Sequence, residues 1–127
     1  MGLSQNARQN IKSALDNGYT VQRVKWADCL DDYYKVHCEN YARTKVPAHP
    51  RMYFQRIRDL IEPGGHTVLW AGLDKSGRLV AFHNSARFAD TSQYWTGCCE
   101  TGHLNSGVNY LLFWNAIKGA RQDGCKW

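Results

Sequence analysis

The 127-residue chain has no apolar run near the roughly 20 residues that a bilayer-spanning helix needs. Polar Ser4-Gln5-Asn6 follows Met1, where a signal peptide would carry its apolar stretch. A helical membrane protein is therefore excluded, and the expected location is the cytoplasm. Proline is scarce, at three residues, and there are no repeats, low-complexity tracts or linkers, so a single domain over 1–127 is expected. The five cysteines, Cys29, Cys38, Cys98, Cys99 and Cys125, are odd in number and lack any CxxC spacing. Vicinal Cys98 and Cys99 would point to opposite faces of a strand. With His103 they make too few ligands for zinc, so free thiols and no metal are expected. Acidic residues are also short, 11 against 16 Lys and Arg, giving a net charge of +5. The excess sits in residues 1–60, with ten basic side chains against six acidic ones, and suits an anionic partner or a solvated basic surface.

What the chain has in quantity is aromatic side chains, including five Trp and seven Tyr, enough to fill a core or line a groove. Ala7, Ile11, Ala14 and Leu15 recur at helical spacing after Ser4, and Asn17-Gly18 ends that helix. A short strand is expected over 19–24, then a helix over 29–43 opened by Asp28, with Leu30, Tyr33, Tyr34, His37, Cys38 and Tyr41 on one stripe. Val46-Pro47-Ala48-His49-Pro50 breaks it. A further helix over 52–61 carries Met52, Phe54, Ile57, Leu60 and Ile61 and stops at Pro63-Gly64-Gly65. Strands over 67–73 and 79–88 flank the hairpin turn Asp74-Lys75-Ser76-Gly77, and a third antiparallel strand covers 93–98. A loop over 99–106 leads into a helix over 107–122, after which a strand has barely begun at Gly124-Cys125-Lys126-Trp127. The chain reads as cut short there. Hairpins followed by a crossover helix imply a mixed sheet covered by helices.

Four stretches resemble the GNAT acyltransferase fold, and within it the FemAB-like branch of peptidoglycan bridge aminoacyltransferases and their acetyltransferase-like relatives. They are Asn6-Ala7-Arg8-Gln9-Asn10-Ile11-Lys12-Ser13-Ala14 with Asn17-Gly18, Tyr41-Ala42-Arg43-Thr44-Lys45-Val46-Pro47 through Phe54, the hairpin within 68–82, and Leu111-Leu112-Phe113-Trp114-Asn115-Ala116-Ile117-Lys118-Gly119-Ala120 with Asp123-Gly124-Cys125. The resemblance implies an α/β (α+β) fold with a mixed, largely antiparallel sheet flanked by helices, lacking the closing C-terminal strands. It implies transfer of an acyl or aminoacyl group to a small-molecule or peptide amine, with acyl-CoA or aminoacyl-tRNA as donor. Donors in the family lodge between the fourth and fifth strands. The family's Arg/Gln-x-x-Gly-x-Gly/Ala loop is reduced here to the single Gly107 of Leu104-Asn105-Ser106-Gly107-Val108-Asn109, which predicts weak acetyl-CoA binding.

The loop over 100–107 joins a strand to a helix, so its free N–H groups and the helix dipole favour an anionic group. Thr101, Gly102, Asn105, Ser106 and Gly107 are the candidate donor contacts, with Asn105 or Ser106 near an N-cap. The bland reading is an ordinary capped connection. Glu100 and His103 are the candidate general bases, because acyl transfer needs a neutral amine. On the strand over 79–88, His83, Ser85 and Arg87 alternate onto one face and either line a substrate groove or meet water. Arg8 and Lys12, one helical turn apart, are candidates for a phosphate or carboxylate, tRNA included. The rival readings are an inactive fragment serving as a binding or oligomerisation module, and a nucleic-acid binder. With too few residues after 122 to cover the strand over 93–98, that edge is expected to pair with a second copy in a homo-oligomer.

Overall fold

The computed structural model describes residues 3–127. Helix α1 (Gln5–Asp16) is capped by Ser4, whose Oγ accepts the Ala7 N–H at 3.1 Å, and it ends as the chain turns left-handed at Gly18, φ 85°. Strand β1 (Thr20–Val24) follows. Helix α2 (Trp26–Thr44) starts three residues before its expected first residue, Cys29. The reason is local: Cys29 itself is non-helical at φ −138°, so a first turn precedes a kink and the regular helix begins beyond it. The helix ends at left-handed Lys45, φ 59°, just before Val46-Pro47.

Helix α3 (Arg51–Arg56) runs into a wide π turn over Ile57–Ile61 and a tight 3-10 turn over Glu62–Gly64. Phe54 and Ile57 of this segment are buried, as its apolar spacing predicts. Met52 and Leu60, the other apolar positions of the helix expected over 52–61, are 55% and 71% exposed. A π turn holds more residues per revolution than an α turn, so the 3.6-residue spacing fails across it at Leu60, whereas Met52 lies before it in the first turn of α3.

Strands β2 (Thr67–Leu73), β3 (Leu79–Phe88) and β4 (Thr91–Cys99) complete a four-stranded sheet in the order β1-β2-β3-β4 with all three pairings antiparallel. The β2–β3 turn is held by Asp74, whose Oδ1 accepts from the backbone N–H groups of Ser76 and Arg78 and from the Ser76 hydroxyl. The β3–β4 register shifts between Asn84, opposite Thr96, and Ser85, opposite Tyr94. Trp95 is the extra residue, and its indole N–H reaches the Tyr53 hydroxyl at 3.1 Å. Helix α4 (Val108–Gln122) then crosses the sheet. The parallel component is an isolated bridge between Lys126 and Thr91, with the Ser92 N–H on the Lys126 carbonyl and the Lys126 N–H on the Asp90 carbonyl, both at 2.6 Å.

The sheet has two covered faces. On one, α2 and α3 bury Trp26, Tyr33, Phe54, Leu69 and Phe82. On the other, α4 packs Val108 and Leu112 against Val80, Ala81 and Cys99. Cys98 belongs to the first cluster and Cys99 to the second, the opposite facing that strand alternation requires. All five cysteines are free thiols. Among the described residues no helix is long and apolar enough to cross a membrane.

Candidate active site

Because β3 alternates, His83, Ser85 and Arg87 all face α4, and their cross-strand partners Gly97, Tyr94 and Ser92 share that face. The face does not meet water, the alternative left open by the sequence: His83 and Ser85 are 2% and 1% exposed. Gly97 supplies no side chain opposite His83, and a Cβ there would press on the Tyr94 hydroxyl at 2.9 Å and the Phe82 carbonyl at 3.0 Å. The gap widens toward the carboxyl end of β4 into a cavity of about 350 Å³. Its walls come from Cys98 and Cys99 of β4, Leu104 of the following loop, and Asn109, Leu112 and Phe113 of α4.

His83 also lines this cavity. Tyr94 and Phe113 meet its ring edge-on, at centroid distances of 5.2 and 4.7 Å, and Trp127 stacks on it at 5.8 Å. Its Nε2 is 2.9 Å from the Ser85 Oγ, whereas its buried Nδ1 has no hydrogen-bond partner. Burial pushes the pKa of His83 down to about 4, so the ring is neutral at neutral pH. Burial likewise raises the Tyr94 phenol and the Cys98 thiol, and pushes the Cys99 thiol up to about 11. Asn40 of α2 closes the far side, its Oδ1 accepting the Cys99 N–H at 3.3 Å and an Arg43 guanidinium N–H at 2.9 Å. Arg87 lies further along the face, its Nη1 2.5 Å from Asp123 Oδ2, which Arg23 also engages at 2.9 Å. The two guanidinium groups hold the Asp123 carboxyl below its usual range, Arg87 foremost.

The loop after β4 brings Glu100 and His103 together, with His103 Nε2 at 3.7 Å from Glu100 Oε1. Neither lines the cavity. Arg78, from the start of the β2–β3 return, donates to Glu100 Oε2 at 2.7 Å, and the Tyr19 hydroxyl lies 2.5 Å from His103 Nδ1. His103 faces a second hollow of about 330 Å³ shared with Asn17, Tyr19, Asp74, Lys75 and Ser106. Thr101 accepts from Arg43 at 3.0 Å, and Gly102 and Asn105 are exposed. Ser106 gives its hydroxyl to the His103 carbonyl at 2.6 Å and accepts the Val108 N–H at 3.2 Å, next to the N-cap residue Gly107. Gly107 is left-handed at φ 87°, and a Cβ on it would collide with the Asn10 carbonyl oxygen of α1. Its lack of a side chain is thus required by the seating of α1 on the N-terminus of α4. Arg8 bonds the Leu3 carbonyl and Lys12 pairs with Asp16 at 2.8 Å, so both have partners within their own segment.

Residues that the sequence did not single out include Tyr19, Asn40, Arg78, Gly97 and Phe113. Gly97 carried a readable signal, since an isolated Gly inside a strand marks a close backbone approach or a bulge. The others are brought in by tertiary packing alone. Among the described residues no group of three or more His, Cys, Asp or Glu could hold a metal ion.

No curated protein sequence matches the chain. Solved structures do match in fold. FemX superposes with a TM-score of 0.85 at 13% identity, over 96% of this chain and 46% of that one. The C-terminal DUF2156 domain of an Agrobacterium fabrum protein described as a lysylphosphatidylglycerol synthetase gives 0.72 at 16% identity, over 95% and 38%. The ribosomal-protein-S18-alanine N-acetyltransferase of Escherichia coli gives 0.68 at 12% identity, over 84% and 61%. The chain spans less than half the length of the first two. The model of the acetyltransferase (GNAT) domain matches residues 3–127, essentially all of the sequence, and the chain belongs to that family.

Proposed function

We propose that this domain transfers an acyl or aminoacyl group to an amine as a member of the FemAB-like branch, with the acyl end of the donor in the cavity between β4 and α4. The observation that carries this reading is the cavity itself: about 350 Å³ at the carboxyl end of a strand and beside the N-terminal half of the next helix, where ligands of α/β sheets bind. The amine attacks the acyl carbonyl, its N–C bond forms as the bond to the thiol or tRNA oxygen breaks, and one amine proton leaves. Glu100 and His103, on the loop beside the cavity and not in its wall, are assigned to relay that proton, which ends on the departing thiol or tRNA hydroxyl, and Thr101, Gly102, Asn105, Ser106 and Gly107 are assigned the donor's approach. Contact with tRNA through the basic surface of residues 1–60, a cytoplasmic location and pairing of the β4 edge in a homo-oligomer complete the reading.

The test is transfer from acetyl-CoA and from charged tRNA to a panel of amines and short peptides, followed by mass spectrometry, for the protein and for Asn109→Trp. Asn109 is exposed and lines the cavity, so the indole fills it from a surface position. Transfer that is lost in Asn109→Trp supports the reading. Equal transfer by both proteins moves the site elsewhere.

A second reading, an inactive binding module, is favoured by one observation. The Glu100 carboxylate is tied to Arg78 at 2.7 Å, and α1 sits against Gly107 at the helix end where a donor phosphate would bind. Absence of transfer from every donor by folded protein selects it.

A further inference from the structure

The cavity between β4 and α4 is walled by side chains of one electrostatic kind. Among the described residues none of its lining groups carries a charge. Neither nearby guanidinium lines it: Arg43 lies behind the wall, bonded to the lining residue Asn40 and to Thr101, and Arg78 is bonded to Glu100. The lining groups that titrate are His83, Tyr94, Cys98 and Cys99, and burial holds each in its neutral form at neutral pH. A charged ligand group would find no counter-ion in the wall itself, the nearest charges being those of Arg43, Glu39 and Glu100 behind Cys99, and burying it there is more costly than burying a neutral one.

One lining residue has a buried polar atom without a partner. His83 is 2% exposed, its Nε2 is satisfied by Ser85 at 2.9 Å, and its Nδ1 is buried with no partner. Buried polar atoms are nearly always paired, so an orphan on a residue that lines a cavity is a candidate partner for a ligand's polar group. The Ser85 hydroxyl both donates and accepts, so it serves either neutral tautomer of the ring. Nδ1 therefore presents an N–H to a carbonyl or a lone pair to an amide.

Building on the acyl-transfer reading above, we propose that His83 is a positioning residue that hydrogen-bonds the donor through Nδ1, and that the cavity selects an uncharged acyl group over an aminoacyl group bearing an ammonium. Tyr94, Phe113 and Trp127 hold the ring by edge and face contacts, which fixes the direction of that bond.

Two truncated thioesters separate the alternatives: S-acetyl-N-acetylcysteamine, which is neutral, and S-glycyl-N-acetylcysteamine, which carries an ammonium. Each is titrated into the full chain while the ring nitrogens of His83 and the backbone amides of Gly97 and Asn109 are followed by nitrogen NMR. The expected result is that the acetyl probe moves the amides and the Nδ1 resonance together, that the glycyl probe binds at least about tenfold more weakly, and that His83→Phe weakens the acetyl probe. Movement of the amides with an unmoved Nδ1, or equal binding of both probes, overturns the inference and leaves the acyl-transfer reading intact. No movement by either probe overturns both. The measurement on the unsubstituted protein stands even if His83→Phe does not fold.

Discussion

The two faces of the sheet are built to different standards. Under α2 and α3 the rings of Trp26, Tyr33, Phe54 and Phe82 interlock at centroid distances of 4.4 to 5.7 Å, and their polar atoms are met: the Trp26 indole by Asn84, the Tyr33 hydroxyl by Thr96. Under α4 a cavity remains, and among the described residues the Trp70 Nε1, His83 Nδ1, Arg87 Nε and Ser92 Oγ are buried without partners, against the Asn84 Nδ2 on the α2 side. A core that only needs stability fills its volume and satisfies its polar groups. We therefore assign chemistry to the less filled face and stability chiefly to the other.

The largest effects should fall on the filled side. Phe54→Ala is expected to cost about 4 kcal/mol in urea unfolding. Phe113→Ala, at 41% exposure over the cavity, should cost under about 1 kcal/mol while changing probe binding. Equal losses would erase the contrast. Next comes the join between α1 and α4: Gly107→Ala combines a left-handed backbone with a collision against the Asn10 carbonyl and should cost about 3 kcal/mol, read the same way.

Acid should then expose a weakness shared by both faces. His37 on the α2 side accepts the His49 backbone N–H at 3.1 Å, and burial, then His49, lowers its pKa to about 4, as burial does for His83. Depressed histidines bind their protons more readily in the unfolded chain, so stability is full above the ordinary value of 6.5 and falls as pH drops toward 4. His83→Phe should flatten part of that fall. An unchanged slope between pH 6.5 and 4 in thermal melts would deny that His83 is held neutral by its burial. The smallest effect is Ala89→Gly in the turn that joins β3 to β4 and belongs to neither face. Ala89 sits at φ 55°, and removing its Cβ should stabilise by about 1 kcal/mol.

Much of the fold was legible because its signals are local. The Ser4 cap, the Asp74 to Gly77 turn, the breaks at Pro47 and Pro63 and the alternation that separates Phe82 and Asn84 from His83 and Ser85 are each decided within a few residues. The errors arose where geometry departs from the ideal periods. The kink at Cys29 hid the start of α2, and the π turn over Ile57–Ile61 carried Leu60 to the surface. The site was harder to read. Glu100 and His103 were chosen from a loop, and the fold ties that loop to Arg78 and Tyr19, more than 20 and 80 residues upstream in sequence, through bonds of separation 22 and 84.

By itself the sequence determined the secondary elements, the hairpin, the two-sided alternation of β3 and the resemblance to the GNAT fold, because caps, turns and apolar periods act over distances shorter than an element. Tertiary structure decided the rest. Whether the His83 face meets water depends on where α4 lands, whether Gly107 is free depends on α1, and whether a gap persists beside Gly97 depends on Tyr94 and Phe113 arriving from different elements. Burial, charge neutralisation and an unfilled volume are properties of what surrounds a residue, and only the folded chain supplies those surroundings.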